Sequence, residues 1–206
     1  MKNKLFPKIE ALINSLDVES ISDERKTALQ PLVDYIKTKV TTNEEVRLNF
    51  ICTHNSRRSH LAQVWANVMA TYFDIPKINV YSAGTEKTAM FPFVCETLKE
   101  QGLEITMLSK EDNPIYAIKF GENTLPIIGF SKTLNHPFNP ISGFAAIMTC
   151  SQADEGCPFI AGAEKRIPIT YDDPKFFDET PLQAEKYTER SLQVATELFY
   201  IFSKIN

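Results

Sequence analysis

Residues 49–63, NFICTHNSRRSHLAQ, place one cysteine between an apolar run and a group of small polar and basic side chains. Cys52 is followed by Arg58 six positions later and by Ser59 directly after that. A thiol becomes nucleophilic near neutral pH where a guanidinium and a helix N-terminus stabilise its thiolate. The planar guanidinium of an arginine binds two oxygens of a tetrahedral oxyanion. The spacing therefore predicts cysteine attack on a bound oxyanion, and the alternative is a buried, inert thiol beside a solvated arginine.

The cysteine lies where a predicted strand, VRLNFIC, meets a predicted helix that runs from Arg57 to about Phe73. Loops between a parallel strand and the following helix bind anions, because backbone N–H groups and the helix dipole converge there. Ser59 is expected to donate to the sulfur, and Asn55 to hold the loop through its side chain. The candidate oxyanion-binding residues are Thr53, His54, Asn55, Ser56, Arg57 and Ser59, beside Cys52 and Arg58.

Three segments together resemble the low-molecular-weight protein tyrosine phosphatase family. CTHNSRRS is similar to its C-x5-R-S phosphate-binding loop, VYSAG at 80–84 to its second strand, and YDDP at 171–174 to the loop with its general acid. The resemblance implies a small parallel α/β sheet and gives Asp173 the role of general acid. A carboxylic acid near an anion loop is also the group needed to protonate a leaving oxygen. By itself DDP is equally typical of a turn or a helix cap.

Cys150 and Cys157 flank the polar stretch SQADEG, seven positions apart. The segment resembles the redox segment of the thioredoxin-coupled arsenate reductases in this family. That resemblance implies a disulfide relay from Cys52 to Cys150 to Cys157, with thioredoxin as the external reductant and no bound cofactor. Two inert thiols are the alternative; a zinc site is disfavoured because the spacing is too wide for a C-x2-4-C knuckle and no His pair completes it. Cys95, within the apolar run FPFVCETL, is predicted to be a core residue.

The sequence departs from the family pattern at three positions. His54 stands where the family usually has glycine, so the loop must avoid a glycine-only conformation there. It is predicted either to contact the anion or Asp173, or to be structural. Arg57 adds a positive charge beside the loop, and Gln63 stands where potassium-binding arsenate reductases carry a glutamate, so no metal is predicted.

Alternating strands and helices must position these residues. After VRLNFIC come the strand INVYSAG, a helix from about Phe91 to Gln101, strands in GFAAIMTC and RIPITY, and an amphipathic helix from Leu182 to Phe202. This order predicts a parallel sheet of about four strands with helices on both faces. Because all of the chemistry follows the carboxyl ends of these strands, we expect it at one edge of the sheet.

Two segments lie outside this pattern. Residues 1–44 show helical periodicity in two runs, with Ser22 or Asp23 as a cap and a break or kink near Pro31, and are predicted to form a helical hairpin ahead of a domain at 45–206. Residues 112–143 are rich in proline and glycine and are interpreted as an insertion over one end of the sheet. A lid, an oligomer contact and a partner site remain open for both.

Composition excludes several classes of function. The 206 residues are 43% hydrophobic with a net charge of −4, which is typical of a globular domain and disfavours nucleic-acid binding. No hydrophobic run is long enough for a signal peptide or a membrane span, so the prediction is a cytoplasmic protein with reduced thiols.

Three functions fit the sequence. The first is arsenate reduction, as in arsenic detoxification. The second is hydrolysis of phosphotyrosine, including that of a protein, or of another small phosphate monoester through a phosphocysteine, since the same loop and Asp173 suffice. The third is an oxyanion- or redox-responsive regulator, which only the two extra segments favour.

Overall fold

Thirteen helices and strands make up the computed structural model, which describes residues 4–157 and 159–205. In chain order they are α1 (Pro7–Asn14), α2 (Asp23–Thr41), β1 (Val46–Cys52), α3 (Arg58–Tyr72), β2 (Ile78–Gly84), α4 (Pro92–Glu100), β3 (Glu104–Met107), β4 (Tyr116–Lys119), β5 (Ile127–Gly129), β6 (Phe144–Met148), α5 (Ser151–Gly156), β7 (Ala163–Pro168) and α6 (Gln183–Ser203). Short 3-10 turns lie at Val18–Ser20 and Pro174–Phe177. Within the described ranges, no helix is both long and apolar enough to cross a bilayer.

The predicted parallel sheet is confirmed, with strand order β2-β1-β6-β7. Its two central strands are almost entirely buried on both faces, as expected for strands covered on each side. One face packs against a large core that includes residues from α1 to α4 and α6. The other is covered by α5 and by side chains near residues 134 and 160. The strand predicted in RIPITY begins earlier than expected, at Ala163, and the backbone beyond Pro168 still bonds to Met148 and Thr149.

A second, antiparallel sheet of order β3-β4-β5 was not predicted. Its strands have three or four residues each, too short for a clear alternating pattern. Two of them lie inside the 112–143 segment, which is therefore more ordered than its proline and glycine content indicated. The segment then returns to the main sheet, where Thr133 forms a bridge with Gly84 at the carboxyl end of β2.

The N-terminal helices share the main hydrophobic core. Ile9 and Ile13 of α1, and Leu29 and Ile36 of α2, are buried in the same cluster as the sheet. Ser22 caps α2 by accepting from the N–H of Arg25, as predicted. The helix continues through Pro31, so a break there, one of the two alternatives, is wrong. The domain boundary at residue 44 stays a prediction, but the two sides of it pack as one core.

A buried ion pair joins α2 to α6. Arg25 donates through Nε and Nη2 to the two carboxylate oxygens of Glu197, each at 2.8 Å. The guanidinium also lies over the ring of Tyr171, 5.0 Å from its centroid. The Glu197 side chain is 3% exposed, so it depends on this partner for its charge. The N-terminal helices are thus coupled to the segment that carries Asp173.

Replacing Arg25 by Met should leave the Glu197 carboxylate buried and without its cation, which we expect to lower the free energy of unfolding by about 2 kcal/mol. The double change Arg25→Met with Glu197→Leu should recover most of that loss. Urea unfolding measures both, with Lys26→Met as the matched control on the next residue. An Arg25→Met variant no less stable than Lys26→Met would contradict this role.

Candidate active site

The turn from β1 to α3, residues 53–57, is held from outside through its carbonyls. The carbonyls of Cys52 and Thr53 accept from the N–H groups of Thr85 and Glu86, at 3.2 and 2.8 Å. The carbonyl of His54 accepts from the hydroxyls of Thr88 and Ser131. Because the carbonyls bond outward, the turn is able to present its N–H groups to a ligand inside it.

Asn55 and Gly84 allow the backbone of the turn to take this conformation. Asn55 has φ +44, the left-handed region that asparagine tolerates better than most side chains. His54 is not among the residues with positive φ, so it meets the expectation of a loop that avoids a glycine-only conformation at that position. Gly84 is needed because the turn passes so close that a Cβ there would lie 2.8 Å from the Thr53 carbonyl.

Cys52 lies at the base of the turn and is 3% exposed. Its Sγ is 3.1 Å from the hydroxyl of Ser59. That hydroxyl also accepts a hydrogen bond of 2.8 Å from the Asn55 side chain. The proton of Ser59 is thereby free to point at the sulfur, which is the contact expected from the sequence.

Arg58 is the first residue of α3, and its side chain extends to the segment 171–173. Its Nη1 donates to the carbonyl of Tyr171 at 3.0 Å, and its Nη2 to Oδ2 of Asp173 at 2.5 Å. Its buried Nε has no protein partner among the described residues. A buried guanidinium N–H without an acceptor is uncommon, so this edge of the arginine is available to a ligand.

The two aspartates of YDDP differ in position. A small hollow lies at the Cys52 sulfur, and Asp173 lines it together with Cys52 and Arg58. The other carboxylate oxygen, Oδ1, accepts from the N–H of Lys175 and so caps the following 3-10 turn. Asp172 is 94% exposed and lies 3.4 Å from Arg190. Of these two aspartates, only Asp173 therefore lines the hollow at the Cys52 sulfur.

Arg57 and His54 have partners of their own. Arg57 lines the hollow, but it donates to Asp178 at 2.5 Å and to the hydroxyl of Tyr187 at 2.6 Å. It also lies 4.0 Å from the centroid of Phe91. Both arginines thus pair with an aspartate, but the Nε of Arg57 is taken by Tyr187, whereas the Nε of Arg58 is left for an anion. His54 lies at the rim, 3.5 Å from the carboxylate of Glu86.

Cys150 follows β6 at the same sheet edge as Cys52. Ile51 pairs with Met148 and accepts from the N–H of Thr149. Cys150 is therefore a near neighbour of Cys52 across the strands. Its buried sulfur lies 3.5 Å from the hydroxyl of Thr53, the residue after Cys52, and accepts from the N–H of Ala153 at the start of α5.

Cys157 lies at the far end of α5 and is partly exposed. Arg166 holds this end, donating to the carbonyl of Cys157 at 2.9 Å and to the carboxylate of Asp154 at 2.5 Å. Cys95 is buried in the core, as predicted, and burial raises the pKa of its thiol to about 11. In the described residues no cluster of three metal-binding side chains occurs.

A cavity of about 420 Å³ opens in front of the hollow. It is lined by His54, Arg58, Ser151, Gln152, Tyr171, Asp172, Asp173, Lys175 and Phe176. Phe176 is 84% exposed, so an apolar ring stands at the mouth of a charged site. A larger apolar cavity of about 600 Å³ lies between residues 134–144 and 159–161, away from Cys52 and Arg58.

Sequence reasoning missed the residues behind the turn. Ser131 and Lys132 contact His54 and Asn55 from the 112–143 segment, and His60 and Ser82 are buried beneath them. No motif in the sequence indicates these contacts, since they join segments far apart in the chain.

The model of the "Low molecular weight phosphotyrosine protein phosphatase" family matches residues 47–119. An arsenate reductase from Staphylococcus aureus (strain Newman) is 31% identical over 128 residues, which cover 61% of this chain and 76% of that protein. The chain belongs to the low-molecular-weight phosphotyrosine protein phosphatase family. An arsenate reductase from Bacillus cereus (strain G9842) is 30% identical over 125 residues, covering 61% of this chain and 74% of that one.

Solved structures agree with this family on the fold. A low-molecular-weight phosphotyrosine phosphatase from Vibrio cholerae O395 gives a TM-score of 0.52 at 13% identity, covering 77% of this chain and 94% of that one. A YwlE mutant from Bacillus subtilis gives 0.51 at 15% identity, covering 78% and 99%. The family fold therefore extends over most of the chain, well beyond the matched residues 47–119.

Cys52 should be the most readily alkylated thiol, and phosphate or arsenate should protect it. Labelling with iodoacetamide at pH 6, followed by mass spectrometry, should modify Cys52 well before Cys95, whose thiol is protonated at that pH. The Arg58→Lys variant should lose most of the protection by oxyanion, because an ammonium lacks the planar fork. Equal labelling of Cys52 and Cys95, unchanged by oxyanion, would remove the active-site assignment.

Proposed function

We propose that this protein reduces arsenate to arsenite, with Cys52 as the nucleophile and Cys150 and Cys157 as the resolving thiols. The supporting observation is that the second cysteine lies beside the first, since the Cys150 sulfur contacts the hydroxyl of Thr53. Hydrolysis of a phosphate ester needs one cysteine, whereas a reductive relay needs further thiols at the same sheet edge. The similarity to arsenate reductases from two bacterial genera, at about 30% identity, supports the same proposal.

The first step is attack of the Cys52 thiolate on arsenic. Arsenate would lie among the N–H groups of the turn and use the free Nε edge of Arg58. A sulfur–arsenic bond forms as an arsenic–oxygen bond breaks, and the departing hydroxide takes a proton from Asp173 to leave as water. Asp173 bonds to Nη2 of Arg58 in this structure, so it must give up that bond and carry a proton to act as the acid. An oxyanion that extends from Nε to Nη2 would take its place on Arg58.

The second step reduces arsenic. The Cys150 thiolate attacks Cys52, the sulfur–sulfur bond forms, and the electron pair of the sulfur–arsenic bond stays on arsenic, which leaves as arsenite. Cys157 then attacks Cys150 and releases Cys52 as a thiolate. A dithiol protein of the thioredoxin type is the proposed external reductant for the Cys150 to Cys157 disulfide. Such a cycle requires a compartment that keeps thiols reduced.

The last exchange requires α5 to unwind. Cys157 is seven positions after Cys150, which at the helical rise of about 1.5 Å per residue is about 10 Å along the axis. A disulfide needs Cα atoms within about 7 Å. The Cys150 sulfur is itself the cap of α5, so its use in a disulfide with Cys52 withdraws that cap. With six residues, α5 is short enough for this loss to matter.

Hydrolysis of aryl phosphates is the second candidate, and Phe176 favours it. The exposed ring lines the same cavity as Arg58 and Asp173, where it could stack on the leaving phenol of a phosphotyrosine. The reaction would form a phosphocysteine on Cys52, which water then hydrolyses. It would not use Cys150 or Cys157.

Serine variants of the two resolving cysteines separate these functions. Cys150→Ser and Cys157→Ser should each abolish arsenate turnover coupled to thioredoxin and its reductase, while aryl phosphate hydrolysis stays at whatever rate the unmodified chain shows. After arsenate, mass spectrometry should find a Cys52 to Cys150 disulfide in Cys157→Ser. Cys95→Ser is the matched control and should keep both activities. Normal arsenate turnover in both serine variants would exclude the relay, and aryl phosphate hydrolysis without any arsenate turnover by the unmodified chain would leave the phosphatase.

The general acid is tested by comparing two neighbouring aspartates. Asp173→Asn should slow aryl phosphate hydrolysis by about a hundredfold or more, because the leaving oxygen loses its proton donor. Cys52 in this variant should still be protected by phosphate. Asp172→Asn, which alters an exposed side chain, should have a small effect, and a larger loss there than in Asp173→Asn would contradict the assignment.

A further inference from the structure

A buried lysine lies behind the turn that follows Cys52. Lys132 is 1% exposed, which is rare for this residue type. Its ammonium has only neutral neighbours: the Ser82 hydroxyl and the Phe130 carbonyl, each at 3.3 Å, and the rings of Phe130 and Phe138. Across residues 4–157 and 159–205, none of the ion pairs includes it.

The backbone of Lys132 fixes the turn from behind. Its N–H donates to Oδ1 of Asn55 at 2.9 Å, and its carbonyl accepts from the N–H of Gly84 at 2.8 Å. Asn55 in turn donates to Ser59, whose hydroxyl contacts the Cys52 sulfur. Two side chains therefore connect Lys132 to the candidate nucleophile, and the residue belongs to the support of the turn.

The lysine side chain reaches beneath the same site. Ser82, which it contacts, pairs with Phe50 on β1, two residues before Cys52. With strand spacing near 4.8 Å and a rise near 3.3 Å per residue, the ammonium and the sulfur are on the order of 10 Å apart. The medium between them is buried protein, where screening by salt is weak.

A buried cation without an anionic partner is costly. Burial lowers the pKa of Lys132 to about 7, and its closest titratable neighbour adds no negative charge. That neighbour is His60, which lies 3.4 Å from the Ser82 hydroxyl. Burial and the nearby Lys132 lower its pKa to about 3, so it is neutral at physiological pH. The negative charges expected near Lys132 are therefore the Cys52 thiolate and an oxyanion bound in the turn.

We propose that Lys132 is a positioning residue whose ammonium supplies a fixed positive charge beneath the oxyanion site. The inference rests on the proposed function only in assuming that the turn binds a tetrahedral oxyanion. Arg58 holds the anion at its front, and Lys132 attracts it from behind without touching it. An anion in the turn stabilises the protonated lysine, so binding takes up a proton above neutral pH, by reciprocal linkage.

Sulfate is the probe, because it is tetrahedral and does not titrate between about pH 5 and 9. Cys52→Ser is the background, since it removes the thiol as a titrating group. Other titratable or charged groups also face the site. Behind it are His60 on α3 and His136 beside Phe130. In front are the pairs Arg58 with Asp173 and Arg57 with Asp178, the rim pair His54 with Glu86, and the cavity residues Asp172 and Lys175. All of them are present both with and without Lys132, so the comparison with Lys132→Met isolates the lysine. Calorimetry in buffers of different ionisation enthalpy measures both the affinity and the protons taken up.

In this background, Lys132→Met should weaken sulfate binding by about a hundredfold at pH 6, the effect of one lysine charge on the two charges of sulfate near 10 Å at an effective dielectric constant of about 20. The loss should shrink steadily as the pH rises above 7, because the lysine of the free protein loses its proton and restoring that proton on binding offsets the attraction. Proton uptake on binding near pH 7.5 should appear with Lys132 and vanish in Lys132→Met. Lys110→Met, a change of an exposed lysine, is the matched control and should keep both affinity and uptake.

Equal sulfate affinity with and without Lys132 at pH 6 would overturn the proposal, as would a loss of the same size at every pH. If Lys132→Met does not fold, the proton uptake of the Cys52→Ser protein alone decides, and its absence near pH 7.5 overturns the proposal. No sulfate binding by Cys52→Ser at any pH would instead reject the oxyanion site itself. The two failures are therefore distinguishable.

Discussion

The outward hydrogen bonds of the β1 to α3 turn are the constraint on which the candidate site depends. A turn of residues 53–57 has to reverse the chain and still offer its N–H groups to a ligand. It does so because its carbonyls are bound by Thr85, Glu86, Thr88 and Ser131, all from other segments. With the turn fixed, the Cys52 sulfur is held beside the Ser59 hydroxyl, at the N-terminus of α3. A loosely held turn would allow its carbonyls to face the anion and repel it.

Charge around this turn is divided between paired and unpaired groups. Arg57 is paired with Asp178 and stacked on Phe91, so it stabilises the fold near the site. Arg58 bonds to Asp173 and to a carbonyl but keeps one buried N–H edge open. Lys132 is buried with neutral partners. Among the described residues, the Nε of Arg58 and the ammonium of Lys132 are thus cationic donors around the turn without an anionic partner, which favours the binding of an anion.

The two segments outside the α/β pattern are part of this support. Residues 112–143 add two strands and then return to hold the turn through Ser131 and Lys132. The N-terminal helices reach the site through Arg25, which pairs with Glu197 and covers Tyr171. Tyr171 gives its carbonyl to Arg58. Both segments therefore act on the position of site residues, although neither contributes to the cysteine chemistry itself.

Local sequence patterns were sufficient to predict the turn after Cys52, the parallel sheet and the core position of Cys95. The spacing of Cys52 and Arg58 predicted a turn between a strand and a helix, because adjacent residues fix such geometry. The alternation of apolar strands and amphipathic helices predicted the parallel sheet, whereas Cys150 and Asp173 were singled out by the resemblance of TCSQADEGCP and YDDP to segments of the family. The apolar surroundings of Cys95 likewise placed it in the core.

Tertiary contact decided the rest. The short strands β3 to β5 have too few residues for a readable period, and they exist because neighbouring strands pair with them. From the sequence, Arg57 was predicted to be a second ligand of the anion. In the structure it donates to Asp178 and Tyr187, which are more than a hundred residues away in the chain. Lys132 and Asn55 are 77 residues apart in sequence. Only the folded chain brings that lysine beneath the turn, because the free energy of burying its charge depends on neighbours that no local pattern specifies.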